Sequence, residues 1–251
     1  MKKLFITLLL LIPLVLLCVC DGSPVSPSGS TEGYYLSGTI IKNIDLDRLS
    51  IKTALTRNDT TLTNAILFVG NDTLAYNSGY YSFIFDSISE LSVGNHYLTI
   101  VDSTLFSDSV MFSIASDFEI TSRVPADTTP YRPGDNVLVS WSTTTNIDGY
   151  IYAAVKTGDH YSEDGYSAFV TSGVPSTAFD SDAFALPSGE LDTGWYYIHI
   201  YGYKDSPLPG TNIPTVFPAG LSNSISRTNF KGKFGSIIVT ERDSIHATTS
   251  K

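Results

Sequence analysis

Residues 194–204, GWYYIHIYGYK, set Trp195, Tyr197, His199, Tyr201 and Tyr203 at alternate positions. In a strand, alternate side chains share a face. The spacing therefore predicts a row of aromatic rings on one side and Tyr196, Ile198 and Ile200 on the other. The two isoleucines assign the second side to a core. The aromatic row can stack on the apolar face of a sugar ring or anchor a protein partner. Its structural alternative is burial, since a sandwich strand hides one face. The segment that follows, 205–220, holds four prolines and no periodicity. It is longer than most hairpin connections, and it can share a surface with the aromatic row or lie over it.

A second cluster is TGDHYSEDGY, 157–166, which gathers Asp159, His160, Glu163 and Asp164. With Asp180 and Asp182 it offers hard oxygen ligands of the kind Ca²⁺ takes. The spacing of a twelve-residue calcium loop is absent, so the expectation is a solvated turn. Asp159, Glu163 and Asp164 remain the Ca²⁺ candidates, and no resident metal or cofactor is expected. There is no Gly-x-Ser-x-Gly elbow, phosphate loop or His-Glu-x-x-His. The four histidines, His96, His160, His199 and His246, lie far apart in sequence. The reading is that the protein is not an enzyme.

Both cysteines stand at the N-terminal end. Lys2 and Lys3 precede an uncharged, mostly Leu/Ile/Val run over 4–19. This matches the charged and apolar regions of an export signal. The run is short for a membrane-spanning helix, which needs about 20 apolar residues, and it carries Pro13. A retained signal anchor is the alternative. No alanine occurs in 1–53, so the usual Ala-x-Ala cleavage site is missing. A weak cut after Gly22 would leave a soluble secreted chain.

Leu17-Cys18-Val19-Cys20 resembles the signal of a bacterial lipoprotein, with Leu17 three residues before an acylated Cys20. It departs from that pattern at Val19, where a small residue is usual. Cys18 fits less well, because Leu17 would then precede it. The resemblance implies lipidation at Cys20 and a membrane partner through that anchor. It places the chain in the cell envelope, facing periplasm or exterior, with secretion as the alternative. A Cys18–Cys20 disulfide would close a tiny loop and stabilise little. Residues 20–33 are rich in Gly, Ser and Pro and read as a flexible tether.

Formal net charge is −10 with no basic cluster, which argues against nucleic acid as a partner. Val, Ile, Thr, Tyr and Phe favour strands, and no helical period appears after residue 33. Strands are expected at 34–41, 46–55, 65–69, 73–76, 80–85, 96–101 and 109–114, each bounded by turn residues. Leu49, Ile51, Thr53 and Leu55 share one face of the second, and Tyr81, Phe83 and Phe85 one face of the fifth. Seven short strands at this spacing predict a β-sandwich over 34–116.

A second unit is expected over 117–241, with strands at 118–121, 137–141, 149–157, 166–171, 182–186 and 194–204. Strand character returns in 221–228 and 233–241, and 242–251 reads as a disordered tail. Within this unit, VPADTTPYRPGDNVLVSW turns at Pro133-Gly134-Asp135 and then points Val137, Val139 and Trp141 inward. The stretch 118–143 resembles the start of a fibronectin type III or immunoglobulin-like domain. The immunoglobulin cysteine pair is absent. The resemblance implies an all-β protein of two tandem immunoglobulin-like or fibronectin III-like β-sandwiches after a signal peptide (1–19), and it implies no chemistry.

The functional expectation is a non-catalytic envelope protein acting in recognition, in adhesion or as an accessory or spacer subunit. A protein or glycan is its partner. A glycan-binding module using the aromatic face is the alternative.

Overall fold

The computed structural model describes residues 33–103, 106–126, 129–158, 165–208 and 221–249. The signal segment, Cys18, Cys20, all but the last residue of the tether, Asp159, His160, Glu163 and Asp164 lie outside the described residues, as does 209–220 of the Pro-rich segment. Among the described residues no helix is long and apolar enough to cross a membrane.

The chain is all β. The first half contains β1 (Tyr34–Asn43), β2 (Arg48–Arg57), β3 (Thr60–Thr61), β4 (Ile66–Val69), β5 (Asp72–Thr73), β6 (Ala75–Asn77), β7 (Tyr80–Phe85), β8 (Gly94–Asp102) and β9 (Phe106–Ile114). The second contains β10 (Ile120–Val124), β11 (Val137–Trp141), β12 (Gly149–Lys156), β13 (Tyr166–Thr171), β14 (Ser176–Phe179), β15 (Gly194–Asp205), β16 (Ile225–Arg227), β17 (Phe230–Val239) and β18 (Asp243–Ala247). Asn58 and Asp59 take φ of 48° and 61°, and Ser78 and Gly79 take 49° and 90°. Two consecutive left-handed residues match the twist of the strands they join, so these pairs close the β2–β3 and β6–β7 hairpins tightly.

One long sheet runs β13-β12-β15-β17-β1-β2-β7-β6, with β16 on β17, β18 on β15 and β3 on β2. Two smaller sheets, β5-β4-β8-β9 and β10-β11-β14, pack on one face of it. The first core joins Leu36, Ile40, Leu49, Ile51, Leu55 and Tyr81 of the long sheet to Leu67, Leu98, Ile100 and Phe112 of the four-stranded sheet. The second joins Tyr150, Ile198, Ile200 and Ile245 to Val137, Val139 and Trp141. Both are sandwiches, with the inward faces that the alternation predicts. Thr53 is fully buried beside Leu49, Ile51 and Leu55, and Leu138 is exposed between Val137 and Val139.

The two sandwiches share the long sheet. β17 pairs with β1 in parallel over its whole length, and with β15 antiparallel over 235–239. Ile225, Phe230 and Phe234, in the segment read from sequence as the second unit, complete the first core, while Ile238 enters the second. A Cβ on Gly232 would lie 2.1 Å from the Leu36 carbonyl oxygen. Glycine is therefore what lets β17 approach β1 so closely.

Two expectations are corrected. Residues 182–186 are not a strand; Ser181–Phe184 forms a 3-10 turn. Ala183 and Phe184 are adjacent and both buried, in place of the one-sided burial expected of a surface strand. The 242–251 tail is not loose throughout, because Asp243–Ala247 is a strand on β15. Ile245 and Ala247 alternate into the second core. On its far side Tyr131 N–H donates to the His246 carbonyl, and Thr248 N–H donates to the Tyr131 carbonyl. The β14 strand was not anticipated at all.

Candidate functional site

β15 is the strand that carries the aromatic row, and its neighbours decide which rings reach water. β12 covers its 196–203 stretch on one side. On the other, β17 pairs with 201–205 and β18 with 194–198. Tyr196, Ile198 and Ile200 face the second core, as their type demands. The odd-numbered residues face the opposite side of the long sheet.

That opposite side is graded rather than uniformly open. Tyr201 and Tyr203 pack with Ile151, Ala153, Ile237 and Val239 in a third core, edged by Ile41 and Leu221. His199 is also buried, at 4 % exposure. These three residues of the expected binding row are therefore buried rather than on an open surface. The stems of the Pro-rich segment are fastened over this face. Thr39 Oγ1 donates to the Leu208 carbonyl and accepts from its N–H, both at 2.6 Å, and Ser206 Oγ donates to the Ser222 carbonyl.

Toward the start of β15 the row emerges. Trp195 is 51 % exposed and stacks on His246, its directly opposed partner on β18, with centroids 4.9 Å apart and planes 21° from parallel. Tyr197 is half-buried, and the Arg242 guanidinium sits 4.5 Å above its ring, a cation–π contact. Arg242 Nε also lies 3.6 Å from Asp45 Oδ1. Below them Tyr197 meets His199 edge-on at 6.5 Å, and His199 stacks on Tyr201 at 5.8 Å. Trp195, His246, Tyr197 and Arg242 thus form an aromatic platform with a cation on it and the Asp45 carboxylate at its margin.

Burial holds the His199 imidazole down at about 4; Asp45 pulls it up and Arg242 pushes it further down. The ring is neutral near pH 7 and contributes packing, not charge. Burial likewise raises the Asp205 carboxyl, against the opposing pull of Lys204.

Chemically the platform can stack and form hydrogen bonds. Among the described residues no group of three or more His, Cys, Asp or Glu stands together to hold a metal ion. Of the expected row, the structure leaves Trp195 exposed and Tyr197 partly so. His246 and Arg242 lie in the segment read as a tail. The alternation of Ser244 and His246 with Ile245 and Ala247 was the signal for them, too short to stand out beside a polar terminus.

The platform lies far from Tyr34, the first residue of β1. Tyr34 is level with Phe230, Val239 with Tyr201, and β15 continues beyond to Trp195. At the rise of a strand this is about 50 Å measured along the sheet.

No family model matches the chain, and no curated protein matches its sequence. Among solved structures, the FN1–FN3 domains of chicken CNTN1 overlay 84 % of this chain and 63 % of theirs at 10 % identity, with a TM-score of 0.27. The chain thus spans less than two thirds of that fragment. Trypsin-activated alpha-2-macroglobulin from Escherichia coli overlays 88 % of this chain and 16 % of its own at 11 % identity and TM-score 0.25. The IG1+IG2 domains of DIP-gamma overlay 81 % and 97 % at 9 % identity and TM-score 0.23.

Proposed function

We propose that this is an exported, lipid-anchored envelope protein that works by recognition rather than catalysis, and that Trp195, Tyr197, Arg242 and His246 are its contact surface. The observation that carries the reading is the exposed Trp195–His246 stack, about 50 Å along the sheet from Tyr34. A chain tethered through Cys20 and 21–33 would hold this surface away from the membrane. Glycan is the ligand class of choice. Aromatic faces pack on the apolar face of a pyranose, while the guanidinium and carboxylate at the margin suit its hydroxyls.

A spacer role is the second reading. It is favoured by the continuous sheet, which makes the molecule a stiff body, and it requires no ligand at all.

Two measurements test the proposal. The mass of the mature N-terminal peptide from host membranes is expected to show acylation on Cys20; an unmodified start near Ser23 would make the chain a soluble secreted protein. The chain has two tryptophans, and Trp141 is buried, so fluorescence quenching by a polysaccharide reports on Trp195. Trp195→Ala is expected to weaken binding about fivefold or more, the effect of losing ~1 kcal/mol of stacking, while the variant stays folded with a small drop in the thermal unfolding midpoint. An unchanged signal across a broad glycan set leaves the spacer reading standing.

A further inference from the structure

Most cations of the described chain face a carboxylate, as Lys42, Lys156 and Arg227 do. Arg48, Lys52, Lys231 and Lys233 make no ion pair with a described residue. The fold gathers these four on one face. Tyr34, Leu36 and Ile40 of β1 enter the first core, so Tyr35, Ser37, Thr39 and Asn43 point the other way. Lys231 is level with Tyr35 and Lys233 with Ser37. Lys52 is level with Thr39 and Arg48 with Asn43.

The outward strand positions of β17, β1, β2 and β7 hold no Asp or Glu. On the flanking β15, Asp205 lies level with Gly235. The 205–208 stem crosses this side at Gly235 and Thr39, yet Lys52 is exposed and Lys231 and Lys233 are half-buried. In a chain of formal charge −10, this is a basic face assembled from two stretches of sequence about 180 residues apart.

We infer that this face is a second contact surface, and that its partner is an anionic polysaccharide whose acidic groups meet Lys231, Lys233 and Lys52. Three observations select that partner. The first is charge: an acidic chain repels a polyanion except where its uncompensated cations stand together. The second is spacing. At strand dimensions Lys231 and Lys233 are about 7 Å apart, Lys233 and Lys52 about 12 Å, and Lys52 and Arg48 about 13 Å. That suits a sparsely charged polymer better than a nucleic acid strand, with a phosphate every 3.4 Å or so. The third is the rings beside the lysines. Tyr35 is level with Lys231, and Lys52 Nζ lies 4.1 Å from the centre of the Tyr80 ring, so the face joins aromatic rings with ammonium groups, as acidic sugars require. An anionic membrane fits less well. Ile41, Ile237 and Tyr203 are level in register and connect this face to that of Trp195 and Tyr197, so a bilayer laid on the lysines would also cover the platform. The inference rests on the glycan reading of the platform and narrows its ligand class, while its lysines are tested apart from Trp195.

The test uses the full gene product, expressed with its own leader and purified after processing by its host. Polygalacturonate and alginate are the probes, with phosphatidylglycerol vesicles and a single-stranded oligonucleotide as competitors. The native chain is expected to bind both polyuronates, with affinity falling at least about tenfold from 50 to 200 mM salt as roughly three counterions are released. The double variant Lys231→Gln, Lys233→Gln should weaken binding at least about tenfold. Lys52→Gln, at an exposed position, serves as the second variant and should weaken it about threefold. Weakening by the lysine variants but not by Trp195→Ala would keep this inference and sink the platform. No binding to either polyuronate, binding that none of the lysine variants weakens, or tighter binding to the vesicles or the oligonucleotide overturns the inference.

Discussion

His199 is the residue whose chemistry and position most clearly conflict. A histidine on a strand of a sandwich usually meets water, and this one is enclosed between Tyr197 and Tyr201 with its imidazole held near 4. An unfolded histidine titrates near 6.5, so between about 6.5 and 4 the unfolded chain binds the extra proton. Stability contributed by the neutral ring is complete above that window and falls as pH drops through it, by on the order of 3 kcal/mol in all. His199→Gln should flatten the dependence of the unfolding midpoint on pH between 6.5 and 4 relative to the native chain. An unchanged slope would show that the ring does not resist protonation in the folded state. Trp195 is the opposite case. It is large, apolar and half in water, so its removal should cost less stability than the removal of a fully buried ring.

β18 is the element on which the platform depends. It supplies His246, and Arg242 precedes it directly. Its attachment has an electrostatic part as well as an apolar one. The Arg123 side chain is 2 % exposed, and its Nε donates to Asp243 Oδ2 at 2.8 Å. Arg123 also donates to the Pro125 carbonyl. Removing one partner of such a pair leaves a buried charge uncompensated, which costs roughly 3 kcal/mol. Asp243→Ala should therefore lower the unfolding midpoint and loosen β18, exposing amides 243–247 to exchange before those of β15. Equal protection of both strands would place the hold on β18 elsewhere, in Ile245 and Ala247.

At the scale of the molecule, the join between the two sandwiches is not a linker. Lys42, 7 % exposed in its side chain, pairs with Asp117 at 2.6 Å. The hydroxyls of Ser116 and Thr144 lie 2.6 Å apart, and Thr144 Oγ1 is also 2.7 Å from the Ser116 carbonyl. β17 threads through both cores. Calorimetry should accordingly show one cooperative transition, with the calorimetric and van't Hoff enthalpies equal. Two separated transitions would mean that the sandwiches unfold independently. A fragment ending at Ser116 lacks Phe230 and Phe234 and leaves β1 with an open edge, so it should not fold by itself.

Strand positions and inward faces were legible in the sequence because alternation is a local property. Leu49 to Leu55 and Val137 to Trp141 declare their buried sides from spacing alone. So were the all-β class, the acidic charge and the row of rings on β15. The contiguity of 34–116 suggested a self-contained unit, but strand order depends on contacts between residues about 200 positions apart, such as Tyr34 with Phe230. No window of sequence encodes those contacts. The fate of the aromatic row was hidden for the same reason. Trp195, Tyr197, His199, Tyr201 and Tyr203 are equivalent by period, and what separates them is which distant segments cover each one. β18 reaches only the first residues of β15, and β17 with the stems of the Pro-rich segment covers the last. The sequence by itself determined which rings share a face; the tertiary structure alone decided which of them meet solvent, because burial is a property of neighbours and not of order along the chain.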